Sequence, residues 1–328
     1  MFIFTIFFFS VILLNNVISE NIFDLTIPGT HDSGAYNLTS NIIVCNEHTE
    51  YVKNIVTILK FININIENII LPWSICHNRT IGEQISDGIR YIDLRAVYDI
   101  ITNEWYVHHS FIGDTIENIF KEIYNSVTNE KVNSVYIIDI NICGNIGNIS
   151  KFNNILYFIE KYIWYVNKPY INQSLDILLK NSSKIILTTT DSILLKDMSD
   201  KIWNSSILMF STRPETSNIK DMFNTNIKNI DIYKKEFKDK QQLLYKVTWT
   251  LTPDFHTFLN MVIDKKKSQN LKELVDIANN KLVETSNFIL QTRPSNIFII
   301  DFYNSINFID LLSIFKFKYY NNSYKKKK

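Results

Sequence analysis

Glycine is scarce and confined in this chain of 328 residues: there are seven, all between Gly29 and Gly147. Glycine permits positive φ and close backbone approach, so unusual turns, and the functional site, are expected in the first half. Cysteine is scarce too. Cys45, Cys76 and Cys143 do not make a disulfide framework, and their spacing matches no metal motif. In an oxidising compartment a Cys45–Cys76 bridge would leave Cys143 as the odd thiol. A basic excess is also missing. With 34 Lys and Arg against 33 Asp and Glu, the net charge of +1 argues against nucleic-acid binding, which needs a positive surface for the phosphate backbone. After the N-terminal residues every apolar stretch is broken by Asn, Asp or Lys, so no later segment reads as a transmembrane helix. Neither an internal repeat nor a linker is visible.

What is present is ordinary globular composition, 46% hydrophobic and 20% charged, in a chain long enough to bury a full core. Residues 1–14 form an apolar run followed by small residues near Ile18-Ser19, so residues 1–19 read as a signal peptide; a buried first strand or helix is the alternative. Sequons start at Asn37, Asn78, Asn148, Asn172, Asn181, Asn204 and Asn321, which suits a secreted or lumenal glycoprotein acting at membrane surfaces. Residues 319–328 read as a basic tail, either solvated or resting on anionic lipid.

Between these ends, strand-like runs alternate with helical periodicity. The strands are expected at Phe23–Ile27, Ile89–Ala96, Trp105–His109, Ser134–Ile140, Lys184–Thr188, Ser206–Phe210, Leu244–Thr250 and Asn296–Phe302. Helical patterns cover Thr115–Ser126, Ile149–Val166, Thr216–Glu236, Leu271–Leu290 and Ser305–Phe315, and Glu47–Leu71 reads as an insertion carrying a helix. Several strands are almost continuously apolar, the mark of strands covered on both faces. Eight such strands with intervening helices predict an irregular, TIM-like (β/α)8 barrel over residues 20–318, in a single α/β domain. An open doubly wound sheet is the alternative.

In such a barrel, chemistry sits at the C-terminal strand ends. The first strand runs into Pro28-Gly29-Thr30-His31-Asp32, the second ends in Asp93-Leu94-Arg95, the third in His108-His109, and the last carries Asp301. Histidine transfers protons near neutral pH, arginine is a permanent cation suited to phosphate, and aspartate orients imidazole. Brought together, these residues would form an acid–base phosphodiesterase site that needs no metal. Singly, each is as readily a satisfied structural group.

Leu25-Thr-Ile-Pro-Gly-Thr-His-Asp-Ser33 resembles the opening signature of the X domain of phosphatidylinositol-specific phospholipase C. Residues 81–95, ending Gly88-Ile-Arg-Tyr-Ile-Asp-Leu-Arg95, resemble its second block, and Trp105-Tyr-Val-His-His-Ser-Phe-Ile-Gly113 its third. Val135-Tyr-Ile-Ile-Asp-Ile-Asn141, Thr250-Leu-Thr-Pro-Asp254 and Asn296–Asp301 extend the likeness over roughly residues 20 to 315, most closely to proteins that carry only an X domain.

That resemblance implies a reaction and its residues. His31 would be the general base that deprotonates an inositol 2-hydroxyl, and His109 the general acid that protonates the departing diacylglycerol oxygen. His109 fits the family spacing to Gly113 better than His108, although Ser110 stands where glycine is common. Asp32 would pair with Arg95 or support the acid, Asp301 would hold His31 in its working tautomer, and Asp93 would orient the Arg95 guanidinium. The products would be diacylglycerol and inositol 1,2-cyclic phosphate. In calcium-dependent relatives the positions of Arg95 and Asn141 carry acidic ligands; a cation and a neutral amide imply no metal and no cofactor. Asn141 also stands where bacterial relatives grip inositol with lysine, which makes it a candidate substrate contact. The expected partner is a membrane phospholipid, phosphatidylinositol or a GPI-type lipid, met by peripheral contact. A glycerophosphodiesterase would need a His-Arg-Gly block, which is absent. A non-catalytic X-domain protein that binds phosphoinositides or a partner is the alternative function, and a structural secreted glycoprotein is the remaining one.

Overall fold

A computed structural model describes residues 22–41, 57, 66–130, 134–144, 147–166, 179, 184–237, 243–253, 270–291 and 296–312. The expected signal peptide, the basic tail, Cys45 and Asp254 lie outside the described residues.

The strands are β1 (Ile27–Thr30), β2 (Tyr91–Asp99), β3 (Glu104–His109), β4 (Phe111–Thr115), β5 (Tyr136–Ile142), β6 (Ile185–Thr189), β7 (Ile202–Asn204), β8 (Met209–Thr212), β9 (Leu244–Thr248) and β10 (Ile297–Ile300). The helices are α1 (Ile66–Ser74), α2 (Ile81–Ser86), α3 (Ile116–Asn129), α4 (Ile149–Leu156), α5 (Ser192–Asp197), α6 (Ser205–Leu208), α7 (Ile219–Phe237) and α8 (Leu271–Gln291). Eight strands run parallel in the order β7-β6-β5-β2-β1-β10-β9-β8 and curl into the expected TIM-like barrel, with β7 and β8 at the ends of the hydrogen-bonded path. β3 and β4 are antiparallel additions to β2.

Several boundaries differ from expectation for local reasons. Trp105–His109 is a strand but no barrel stave, because the turn after Asp99 folds it back on β2. The eighth stave is instead the short β7, too brief to show a period. Ile22–Asp24 forms a 3-10 turn, so the first strand begins at Ile27. Ser205–Leu208 is helical, because the Asn204 side chain caps the amide of Ser206, and β8 starts only at Met209. Cys76 is a free, buried thiol packed with Trp73 and Phe111, whereas Cys143 is disulfide-bonded. That reverses the expected cysteine roles.

Strand pleat separates two cores. Outward residues of β2 and β5 (Ile92, Leu94, Ile138, Ile140) pack on one stripe of α3, formed by Ile116, Ile119, Phe120, Ile123 and Val127. Inward residues from the strand beginnings, among them Ile27, Tyr91, Ile137, Ile186, Leu244 and Ile297, fill the barrel interior. Alternation then turns Asp93 and Arg95 of β2 to the inside beyond that apolar floor.

Gly29 marks the tightest approach in the floor: a Cβ there would lie 2.6 Å from Ile299 Cγ2 and 2.8 Å from Tyr91 Cβ. Gly29→Ala is therefore expected to destabilise by about 1–3 kcal/mol through overpacking, read as a lower urea midpoint at unchanged m-value.

Candidate active site

The barrel opens at its C-terminal strand ends into a cavity of about 660 Å³ whose lining includes His31, Asp93, Arg95, His109 and Asn141. At its centre stands Asp32, 2% exposed and in the left-handed region at φ 45°. That conformation costs a non-glycine residue roughly 1–2 kcal/mol, which aspartate tolerates better than most. The turn is pinned from several sides. Ser33 N–H donates to the Asp93 carbonyl at 2.8 Å, Asp93 N–H donates to Ser33 Oγ at 2.9 Å, and the Gln84 amide of α2 donates to the Ser33 carbonyl at 2.8 Å.

Asp32 gathers three positive or potentially positive groups. Arg95 Nε forms an ion pair with Oδ1, while His31 Nε2 and His109 Nε2 each lie 3.3 Å from Oδ2. Burial alone would push the Asp32 carboxyl up, but Arg95, His31, His109 and Arg213 outweigh it and hold the group well below the usual carboxylate range. His31 Nδ1 lies 3.0 Å from Asp301 Oδ1. An ionised Asp301 only accepts, so it fixes the hydrogen on Nδ1 and leaves Nε2 facing Asp32 and the cavity. His109 Nδ1–H donates to the Ser74 carbonyl at 2.7 Å, which likewise leaves Nε2 as the nitrogen that gains or loses a proton. Burial lowers the His109 pKa, with Arg95 and His31 adding to the effect and Asp32 opposing it.

Thus His31, Asp32, Arg95, His109 and Asp301 come together from four separate segments. Asp93 departs from expectation: it does not orient Arg95 by a hydrogen bond. Its Oδ2 accepts from Asp32 N–H at 3.3 Å and its Oδ1 from Asn141 Nδ2 at 3.1 Å. Asn141 lines the cavity, as do His108 and His109, and His108 is buried.

Sequence reasoning missed a polar layer beneath these groups. Asp139 accepts from Tyr91 Oη at 2.7 Å, Thr188 Oγ1 at 2.7 Å and Lys246 Nζ at 3.2 Å. Although burial raises it, the Asp139 pKa is lowered by Lys246 and these hydrogen bonds. The signal was available: Lys246 is the one charged residue in an apolar strand, and Asp139 shares a strand face with Asn141. Arg213, just past β8, is a second guanidinium on the cavity wall.

The nitrogen, oxygen and sulfur ligand atoms of His31, Asp32 and Cys76 lie within 4.8 Å of one another. This set does not suit calcium, which takes six or more oxygens, and Arg95 already engages the single carboxylate.

No family model matches the chain. Segments of it match curated proteins: a PI-PLC X-box domain-containing protein of Dictyostelium discoideum, 29% identical over 117 residues (35% of this chain, 14% of that one); PI-PLC X domain-containing protein 2 of Homo sapiens, 34% over 73 residues (22% of each); and PI-PLC X domain-containing protein 1 of Homo sapiens, 28% over 102 residues (30% and 31%). The chain thus spans from 14% to 31% of the length of these relatives. The fold is similar to that of phosphatidylinositol-specific phospholipase C from Listeria monocytogenes, with a TM-score of 0.61, 14% identity, and 90% and 94% of the two chains covered. The Staphylococcus aureus enzyme gives 0.58 at 13% identity, with 90% and 93% covered. The family expected from the sequence is the family matched, the PI-PLC X-domain proteins. At these identities the structural likeness is one of fold, and the roles of individual residues rest on the geometry above.

Two buried imidazoles should make stability pH-dependent. His77 is fully buried and His109 partly so, and burial lowers both pKa values below the ordinary 6.5. Between the folded and unfolded values the unfolded chain holds more protons, so stability is whole above about pH 6.5 and falls as the pH drops. Asp32 and Asp139, whose folded pKa values are lowered from 3.8, add a second loss below that value. Thermal midpoints measured from pH 7.5 to 3 should decline in these two stages.

Proposed function

We propose that this chain is a phosphodiesterase that cleaves phosphatidylinositol, or a related inositol phospholipid such as a GPI-type lipid, to diacylglycerol and inositol 1,2-cyclic phosphate. The observation that carries the reading is the placement of two imidazole Nε2 atoms, each 3.3 Å from the same Asp32 oxygen, beside a guanidinium at the wall of one cavity.

His31 Nε2 takes the proton of the inositol 2-hydroxyl, whose oxygen attacks the adjacent phosphorus. Arg95 and Arg213 face the charge on the non-bridging oxygens. Protonated His109 gives its Nε2 proton to the leaving diacylglycerol oxygen, so the pair ends with His31 protonated and His109 neutral; proton exchange with solvent, or water attack on the cyclic product with His109 as base and His31 as acid, resets it. Asp32 supports both imidazoles as they become cationic, and Asp301 keeps His31 in the tautomer that can accept. Arg95 supplies the positive charge that calcium supplies elsewhere, so the reaction proceeds without a metal cofactor. Burial lowers the His109 pKa, and the negative charge of a bound phosphate would act against that shift.

A bilayer contact suits the same end of the barrel. Among the described residues, Ile100 is 78% and Ile101 94% exposed in the turn that follows β2, while Ile193 of α5 and Ile207 of α6 are exposed just after β6 and β7. A disulfide at Cys143 supports placement of the protein in an oxidising, secretory compartment. Asn37 and Asn78 are exposed sequon positions there, whereas Asn148 and Asn204 spend their side-chain oxygens on helix caps.

Wild type, His31→Ala and His109→Ala assayed on phosphatidylinositol vesicles with EGTA test the chemistry. Each variant should lose about 10³-fold or more in kcat. Undiminished activity in His31→Ala overturns the mechanism; a folded but inactive wild type that still binds the vesicles turns the reading toward a phosphoinositide-binding module. Separately, Ile100→Asp with Ile101→Asp should weaken vesicle binding about tenfold or more while leaving the thermal midpoint in place.

A further inference from the structure

The peptide unit joining His31 to Asp32 connects the base to the central carboxylate across a left-handed φ, and both of its polar groups are held. On one side Asp32 N–H donates to Asp93 Oδ2 at 3.3 Å. On the other, the His31 carbonyl accepts from His77 Nε2–H at 2.7 Å. Because a carbonyl can only accept, this bond fixes the His77 tautomer and leaves Nδ1 as a lone pair, and among the described residues that buried atom has no hydrogen-bond partner. A buried imidazole whose second nitrogen meets nothing is a costly way to fill space. The hydrogen bond from Nε2 is what ties the residue to the site.

The segment that carries His77 also meets His109, the turn after His31 and the residue after Asp301. Ser74 accepts from His109 Nδ1–H at 2.7 Å. The amides of Cys76 and His77 both donate to the Ala35 carbonyl, at 2.9 and 3.2 Å, just past the His31 turn. The Cys76 carbonyl accepts from Phe302 N–H at 2.9 Å, next to Asp301. The His77 ring sits 6.1 Å from the ring of Phe302 and 6.3 Å from that of Tyr303.

We propose that His77 is a positioning residue: its Nε2–H holds the His31–Asp32 peptide in the orientation that aims His31 Nε2 into the cavity while Nδ1 meets Asp301. It touches no substrate and transfers no proton. Without this donor the strained turn is free to rotate its carbonyl away, and His31 and Asp32 shift together relative to Arg95 and His109. A misplacement of about 1 Å in such a constellation can cost on the order of a hundredfold in rate.

The inference rests on the phosphodiesterase reading for its kinetic readout, so a second readout is needed that does not require turnover. Three variants separate the hydrogen bond from the packing. His77→Gln keeps a donor at about the reach of Nε2, His77→Asn keeps an amide that falls short of the carbonyl, and His77→Leu removes the donor altogether. The ring proton that His31 shares with Asp301 is followed by NMR, and kcat and KM are measured on phosphatidylinositol. In His77→Asn and His77→Leu the His31 proton signal should move or vanish, and kcat should fall about ten- to a hundredfold with KM little changed. His77→Gln should recover the signal and come within about threefold of wild-type kcat. If His77→Leu does not fold, the comparison of Gln with Asn decides alone. A wild-type His31 signal in Asn or Leu, or a loss in Gln as deep as in Asn, overturns the proposal. A wild type without turnover refutes the phosphodiesterase reading instead, and the NMR comparison still decides the role of His77.

Discussion

One buried carboxylate organises the site. Asp32 is nearly inaccessible to solvent, yet it stays ionised because Arg95, His31 and His109 converge on it. An isolated buried charge would cost several kcal/mol; here the cost is offset by the pair with Arg95 and by the two imidazoles that face the same carboxylate. The same interaction explains the geometry. Asp32 can reach all three partners only because it occupies a left-handed turn, and the turn persists because Ser33, Gln84, Asp93 and His77 each hold one of its polar groups.

The barrel supplies the frame for this arrangement through a simple vertical order. Apolar residues at the strand beginnings fill the floor, the layer of Asp139, Tyr91, Thr188 and Lys246 forms a satisfied polar storey, and the titratable groups stand above it at the cavity. The middle layer matters for rigidity. Each Asp139 oxygen has a partner, so the charge beneath the site is neutralised locally by Lys246 and does not compete for Arg95. Arg95 is therefore left to engage Asp32, while Asp93, which could have competed for it, is turned to the Asp32 amide and to Asn141.

Much of this was legible in the sequence, and unevenly. Gly29-Thr30-His31-Asp32 and Asp93-Leu94-Arg95 could be placed at strand ends because apolar runs precede them and a period of two sets the face. His109 was found for a reason that proved incomplete: it lies on a strand, but on a hairpin folded back beside β2 and outside the barrel. His77 was not found, because a histidine among irregular residues carries no periodic signal, and its role comes from a bond to a residue 46 positions away. The cysteine pairing failed similarly, since spacing along the chain says little about which thiol is buried in an apolar cluster and which stands at the end of β5.

By itself the sequence determined the alternation of strands and helices, the strand ends that carry chemistry and the set of groups able to transfer protons, because these follow from local periodicity and side-chain chemistry. Only the tertiary structure decided which of those groups meet. Convergence of His31, Arg95, His109 and Asp301 on one carboxylate depends on the curl of the sheet, on the hairpin that brings His109 back, and on the buried segment from Ser74 to His77 that ties them together. Such contacts are set by sheet closure and by hydrogen bonds between residues far apart in the chain, which no local pattern encodes.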